Sequence, residues 1–157
     1  MKRSETLETL NRRWKGACKI LLKEEVGDVW EFDRYLDGMI EANRHEKSYV
    51  SGKDVVLGVK EYAADARFVS FDEIDYGEKY APVPLESADG IGALVSALSG
   101  RFAYAGNLVI GKSSHVEKSA NISDSHYIYD SALYGDCKYM YKSTLGRLNE
   151  DLFGSHG

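Results

Sequence analysis

Apolar side chains in the first part of the chain recur at three- and four-residue steps. Leu7, Leu10, Trp14, Cys18 and Leu21 fall on one stripe, which predicts an amphipathic helix over residues 4–25. Gly27 sits where its C-cap belongs. Asp28 and Glu31 have the spacing of a capping box and predict a second helix, with Val29, Phe32, Leu36, Met39 and Ile40 on its buried face. Two such helices can pack as a hairpin over Trp14 and Trp30. The polar stretch 43–54 reads as a connector, and 55–59 and 67–71 read as short strands. Pro82 and Pro84 mark a loop before a third helix, with Ser87 as its cap, Ile91, Leu94, Val95 and Leu98 as its stripe and Gly100 as its stop.

After Phe102 the helical period disappears and a different one takes over. Written in sixes from Lys112, the chain reads KSSHVE, KSANIS, DSHYIY, DSALYG, DCKYMY, KSTLGR, LNEDLF, GSHG. The second position is always small and polar: Ser113, Ser119, Ser125, Ser131, Cys137, Ser143, Asn149 and Ser155. A helix cannot keep a period of six on one face. Short parallel strands joined by tight corners can, if each turn of a coil stacks on the last.

On these residues the tail resembles the short-repeat β-solenoids, among them the hexapeptide left-handed β-helices. It departs from the hexapeptide pattern two residues after each small one. There an aliphatic is expected, and of His115, Asn121, Tyr127, Leu133, Tyr139, Leu145 and Asp151 only the two leucines supply one. The resemblance implies a rigid stack of rungs, and in the enzymes of that class a histidine acting between coils as a base for acyl transfer or as a metal ligand.

Two rung lengths compete. Eighteen residues would place Lys112 over Asp130, Lys118 over Asp136 and Asp124 over Lys142. Twelve would stack Asp124 on Asp136, but would align Val116, Ile128, Met140 and Leu152 in one interior column and Tyr129, Tyr141 and Phe153 in another. Exposed ion pairs contribute about 0–1 kcal/mol each, whereas a buried aliphatic or aromatic side chain contributes about 1.5–3 kcal/mol. Twelve is therefore preferred.

Composition narrows the class. The 157 residues are 43% apolar and 29% charged, which is globular, and the two cysteines form no disulfide framework or zinc quartet. A net charge of −5 speaks against a nucleic-acid binder acting through overall charge. No apolar run approaches the ~20 residues that span a bilayer, and no leader peptide is visible, so a cytoplasmic protein is expected. The first 23 residues carry Lys2, Arg3, Arg12, Arg13, Lys15, Lys19 and Lys23 against Glu5 and Glu8, a local +5 that leaves −10 for the rest. Such a helix can dock on an acidic partner, but the simpler reading is that it packs on the acidic body of its own molecule.

Candidate chemistry is sparse. Gly106–Ser113 matches the phosphate-loop pattern GxxxxGK[ST], which makes Gly111, Lys112 and Ser113 candidate nucleotide contacts. Leu108-Val109-Ile110 inside it favours instead a strand leading into the repeat. His115 and His126 are the candidate catalytic bases. They lie one residue off a twelve-residue column, so adjacent rungs on opposite sides of the wall are expected, with solvated wall residues as the simpler reading. Asp124 and Asp136 could attract a cation if stacked, but Asp130 at the equivalent position favours turn residues. The tyrosines between 127 and 141 could hold sugars or bases, and suit strands equally well. No metal site and no cofactor are called for.

The expected architecture is α+β: a helical and small-β region over 1–100, then a short parallel β-solenoid over 101–157. The pattern runs to Ser155 with no polar cap, so either further chain follows or the exposed edge pairs with another subunit. The expected role is structural or interaction-mediating, in a homo-oligomer or larger assembly. The alternative is a hexapeptide-like acyltransferase subunit with its histidine base at a subunit interface.

Overall fold

Ser4 caps the first helix by accepting the Leu7 N–H at 3.3 Å, and α1 (Glu5–Leu22) follows, with Glu5 and Glu8 in the first turn where the helix dipole favours acid. The computed structural model describes residues 3–77, 79, 81–82 and 89–156. Lys2, Pro84, the expected cap Ser87 and Gly157 lie outside them. The Asp28/Glu31 capping box forms as its spacing predicts, but it starts a 3-10 turn (Val29–Phe32) that passes into a single α-helical turn, α2 (Asp33–Asp37). Met39, expected on a buried face, is therefore beyond the helix and exposed.

The segment expected as a connector contains a strand. β1 (Arg44–Lys47) pairs antiparallel with β2 (Asp54–Leu57), and β3 (Arg67–Ser70) is followed by a 3-10 turn that takes up Phe71. After α3 (Ile91–Ser99), with Gly90 at its N-cap position, β4 (Ala103–Gly106) pairs parallel with β3. Val55, Leu57 and Phe68 form the core of this region. Gly106 is dictated by closeness, since a Cβ there would lie 2.3 Å from Val55 Cγ1 and 2.5 Å from the Val56 carbonyl oxygen. Asn107 then joins β2 to the coil: it donates its N–H to the Val56 carbonyl and accepts the Val56 N–H on Oδ1, both at 2.9 Å.

From there the chain winds as a flat parallel β-solenoid of about four turns. β5 (Val109–Ile110), β7 (Ala120–Ser123), β9 (Ala132–Gly135) and β11 (Thr144–Arg147) make one sheet. β6 (Ser114–Glu117), β8 (His126–Tyr129), β10 (Lys138–Tyr141) and β12 (Glu150–Phe153) make the other. Met140 lies opposite both Ile128 and Leu152, and Ala132 opposite both Ala120 and Thr144, so a rung is twelve residues, one hexad per face. Between the sheets Val116, Ile128, Met140 and Leu152 meet Val109, Ile122 and Tyr134 around Cys137.

The aromatic column Tyr129–Tyr141–Phe153 also aligns as expected, but outside the coil rather than within it. Its side chains are buried by Leu10, Val29 and Leu36 of the helical region. The reason is a backbone feature. From His115 to Gly154 every third residue has positive φ, alternately at a corner (Lys118, Asp124, Asp130) and in mid-strand (His115, Asn121, Tyr127). The mid-strand residue acts as a bulge, turning two consecutive side chains outward and leaving one interior position per four-residue strand.

α1 runs along the stacking direction on this second sheet. Ser4 donates to Glu117 of β6 at 3.0 Å, and Arg13 pairs with Glu150 and Asp151 of β12. Nine helical residues span about 13 Å, close to the ~14 Å covered by three strand spacings.

Candidate functional site

The small residues of the repeat do more than make room at the corners. Ser131 donates to the Tyr129 carbonyl at 2.8 Å and accepts the amide of Ser143, one rung on, at 3.1 Å. Ser119 does the same for Ser131, Ser125 for Cys137, and Ser143 for Ser155. Two hydroxyl ladders thus run up the corners, supplying acceptors to amides that the short strands cannot pair.

On the outer face of the second sheet the mid-strand residues stack as a column: His115 on Tyr127 at 4.4 Å between ring centroids, Tyr127 on Tyr139 at 5.4 Å. The Arg13 guanidinium lies over the Tyr139 ring at 4.4 Å. These tyrosines face the helix that covers them, which favours the structural reading of the aromatic cluster.

His115 and His126 are not on opposite sides of the wall. The Ser114 hydroxyl lies 2.8 Å from His126 Nδ1 and 3.1 Å from His115 Nδ1, so both rings meet one hydroxyl on the same outer face. The bulge explains the difference, because it turns residue 115 out beside residue 114 and hence beside its column partner 126. His115 Nε2 also stands 3.8 Å from Glu5. An equivalent pair recurs on the other sheet, where Thr144 Oγ1 is 2.6 Å from His156 Nδ1.

At the candidate nucleotide loop, Val109–Ile110 is strand β5 and β6 follows without a helix. The Lys112 amide donates to Asp124 Oδ1 at 2.9 Å, and Ser113 donates to the Ile110 carbonyl at 2.7 Å while accepting the Ser125 amide. Asp124 is thus a turn residue here. Among the described residues no group of three or more His, Cys, Asp and Glu side chains could hold a metal ion.

No protein-family model matches this chain, and no curated protein or solved structure does. The function is therefore argued from the surfaces themselves.

The basic face of α1 is largely spent within the molecule: Lys15 pairs with Asp28 at 2.6 Å, Lys19 with Glu25 at 3.2 Å, and Arg13 with β12. Beneath α2, the buried Lys142 binds Asp37 at 2.6 Å and Asp130 at 2.8 Å, and Tyr141 donates to Asp33 at 2.6 Å. Burial alone would lower the Lys142 pKa, but the two carboxylates outweigh it and raise the pKa above the ordinary lysine value. These links bind the helical region to the stack, and β12 pairs with β10 on one side only.

That edge has a defined chemistry. Ser114, His126 and Lys138 each donate their N–H to the carbonyl eleven residues on, and Asp130, Lys142 and Gly154 each donate to the carbonyl thirteen residues back. Continued to the last rung, these series aim the Glu150 N–H and the Phe153 carbonyl off the end of the stack. No described residue stands opposite them. Among the described residues no helix is long and apolar enough to cross a membrane.

Proposed function

We propose that this chain is a structural or protein-interaction module whose β-solenoid assembles through the edge of β12, the last described strand. The observation that supports this is β12: it pairs with β10 on one side only and presents an amide and a carbonyl in strand geometry on the other. The coil is stiffened by its serine ladders and braced by α1, so that edge is held in a fixed shape, which lowers the ordering cost of association. The short-repeat resemblance belongs to this reading as an architectural one.

Replacing Glu150 with Pro tests it. The substitution removes the outward N–H without taking a hydrogen bond from the chain's own ladder. Sedimentation velocity should show concentration-dependent association of the unaltered protein and its weakening in Glu150→Pro. Association that is identical in both would refute the edge as the contact.

A second reading, a hexapeptide-like acyltransferase subunit, draws support from one feature: the Ser114 hydroxyl between His115 and His126. In it one histidine serves as base toward an acyl acceptor at a subunit interface. His126→Ala should abolish transfer while leaving assembly intact. Gly111, Lys112 and Ser113 are the residues of a third, weaker reading as a nucleotide site, which loss of binding in Lys112→Ala would test.

A further inference from the structure

Four side chains from three elements converge on one exposed oxygen. Ser114 and His115 are neighbours on β6, and His126 stands opposite Ser114 on β8. The Ser114 hydroxyl lies 3.1 Å from His115 Nδ1 and 2.8 Å from His126 Nδ1. A hydroxyl has a single proton to give, so one ring accepts it and the other donates to the oxygen. Glu5, in the first turn of α1, decides which. Its carboxylate stands 3.8 Å from His115 Nε2 and favours the proton on that nitrogen, which leaves Nδ1 as the acceptor facing Ser114. His126 is then the donor that holds the oxygen in place.

Carboxylate, imidazole and hydroxyl in this order are the parts of an activated nucleophile. We propose that Ser114 takes up acyl groups, with His115 as its general base and Glu5 as a positioning residue, and that the site hydrolyses small carboxylic esters. Ser114 Oγ attacks the carbonyl carbon while its proton passes to His115 Nδ1. The bond from that carbon to the leaving alcohol's oxygen then breaks, and the alcohol departs with the proton. Water repeats the sequence on the serine ester, which releases the carboxylic acid and restores the hydroxyl. No co-reactant besides water is needed.

The other hydroxyl–imidazole pair shows what sets this one apart. Thr144, beside His156, is buried, and Leu145 stands where the first site has His115. Ser114 is exposed, so an ester can reach it. His115 is also clamped: its ring stacks on Tyr127 at 4.4 Å with 16° between the planes, and Tyr127 stacks on Tyr139 beneath Arg13. A base already fixed by packing needs no ordering when the reaction begins. Lys138, next after His126 in the same column, brings a cation to this face to offset the oxyanion. The face is open, which suits short acyl chains.

This inference differs from the transferase reading in where the acyl group goes, and it needs neither a subunit interface nor the β12 edge. The probe is p-nitrophenyl acetate, followed by nitrophenolate absorbance and by peptide mass spectrometry of the quenched reaction. Acetyl should appear on Ser114 of the unaltered protein. Ser114→Ala, with folding confirmed by circular dichroism, should lose that adduct and hydrolyse the ester at least ~10-fold more slowly. His115→Gln should slow the acetylation of Ser114 while the fold is kept. Hydrolysis in Ser114→Ala as fast as in the unaltered protein, or acetyl on other residues but not on Ser114, would overturn the inference. A rate that depends on His126 but not on Ser114 would overturn it as well and leave the transferase reading standing. Sedimentation, not hydrolysis, decides the assembly reading.

Discussion

Ser131 Oγ accepts the amide of Ser143, its neighbour one rung on, at 3.1 Å while donating to the Tyr129 carbonyl. Both serines are fully buried. The hydroxyl is thus a relay, and its removal leaves the buried Ser143 amide without a partner and the Tyr129 carbonyl with the Lys142 amide alone. Ser131→Ala should destabilise the fold by about 1–3 kcal/mol, and Ser131→Phe by more, since it overpacks the corner as well. Urea titration of the two variants checks both magnitude and order.

Cys137 occupies a ladder position with the weaker atom. Its sulfur stands 3.4 Å from the Asn149 amide and 3.1 Å from the Gly135 carbonyl. A hydroxyl is the better donor and acceptor and suits the site in size, so Cys137→Ser should hold or raise stability by up to ~1 kcal/mol. Loss of stability on calorimetry would mean that Cys137 matters chiefly as an apolar core residue.

Lys142 is held by Asp130 from the adjacent rung and by Asp37 from α2. Removing its charge strands two carboxylates. Lys142→Met should cost about 1–3 kcal/mol, because the carboxylates it leaves keep access to solvent, and Asp130→Asn with Lys142→Met should cost less than the separate losses added. A double-mutant cycle in denaturant measures the coupling.

Alkaline pH should unfold the protein more readily than composition suggests. The Tyr134 hydroxyl is buried without a hydrogen-bond partner, and burial pushes its pKa up to about 12. Tyr141 and Lys142 are raised as well. A group with a raised folded pKa contributes its full stability below the unfolded value, near 10, and loses it as pH climbs through the folded value. Tyr134 alone accounts for a loss on the order of 2–3 kcal/mol between pH 10 and 12. Tyr134→Phe should flatten that decline and, by removing an unpaired buried hydroxyl, hold or raise stability at neutral pH. Thermal melts across this range, followed by phenolate absorbance, test the sign.

The repeat was legible because the corners impose a chemical requirement every six residues, and the twelve-residue rung because Val116, Ile128, Met140 and Leu152 share one face. The charge argument for eighteen missed the corner Lys118–Asp130–Lys142, where a twelve-residue rung also alternates sign. The outward turn of Tyr129 and Tyr141, and the meeting of His115 with His126, were hidden because they depend on positive φ at His, Tyr and Leu residues, which rarely adopt it. β1 was hidden because Arg44–Lys47 is wholly polar and borrows its strand geometry from β2. The exposure of Leu21 was hidden for another reason: it sits on the apolar stripe, and nothing local shows that α1 runs past β12, the last described strand.

The account stands on the pairing of residues twelve apart across stacked parallel strands. Inter-strand nuclear Overhauser contacts in isotopically labelled protein report this pairing directly. They should link Ile128 to Met140, Met140 to Leu152, and the Ser143 amide to Ser131. Contacts linking outward residues eighteen apart, such as Ser123 to Tyr141, or a helical pattern through residues 114–153, would contradict it.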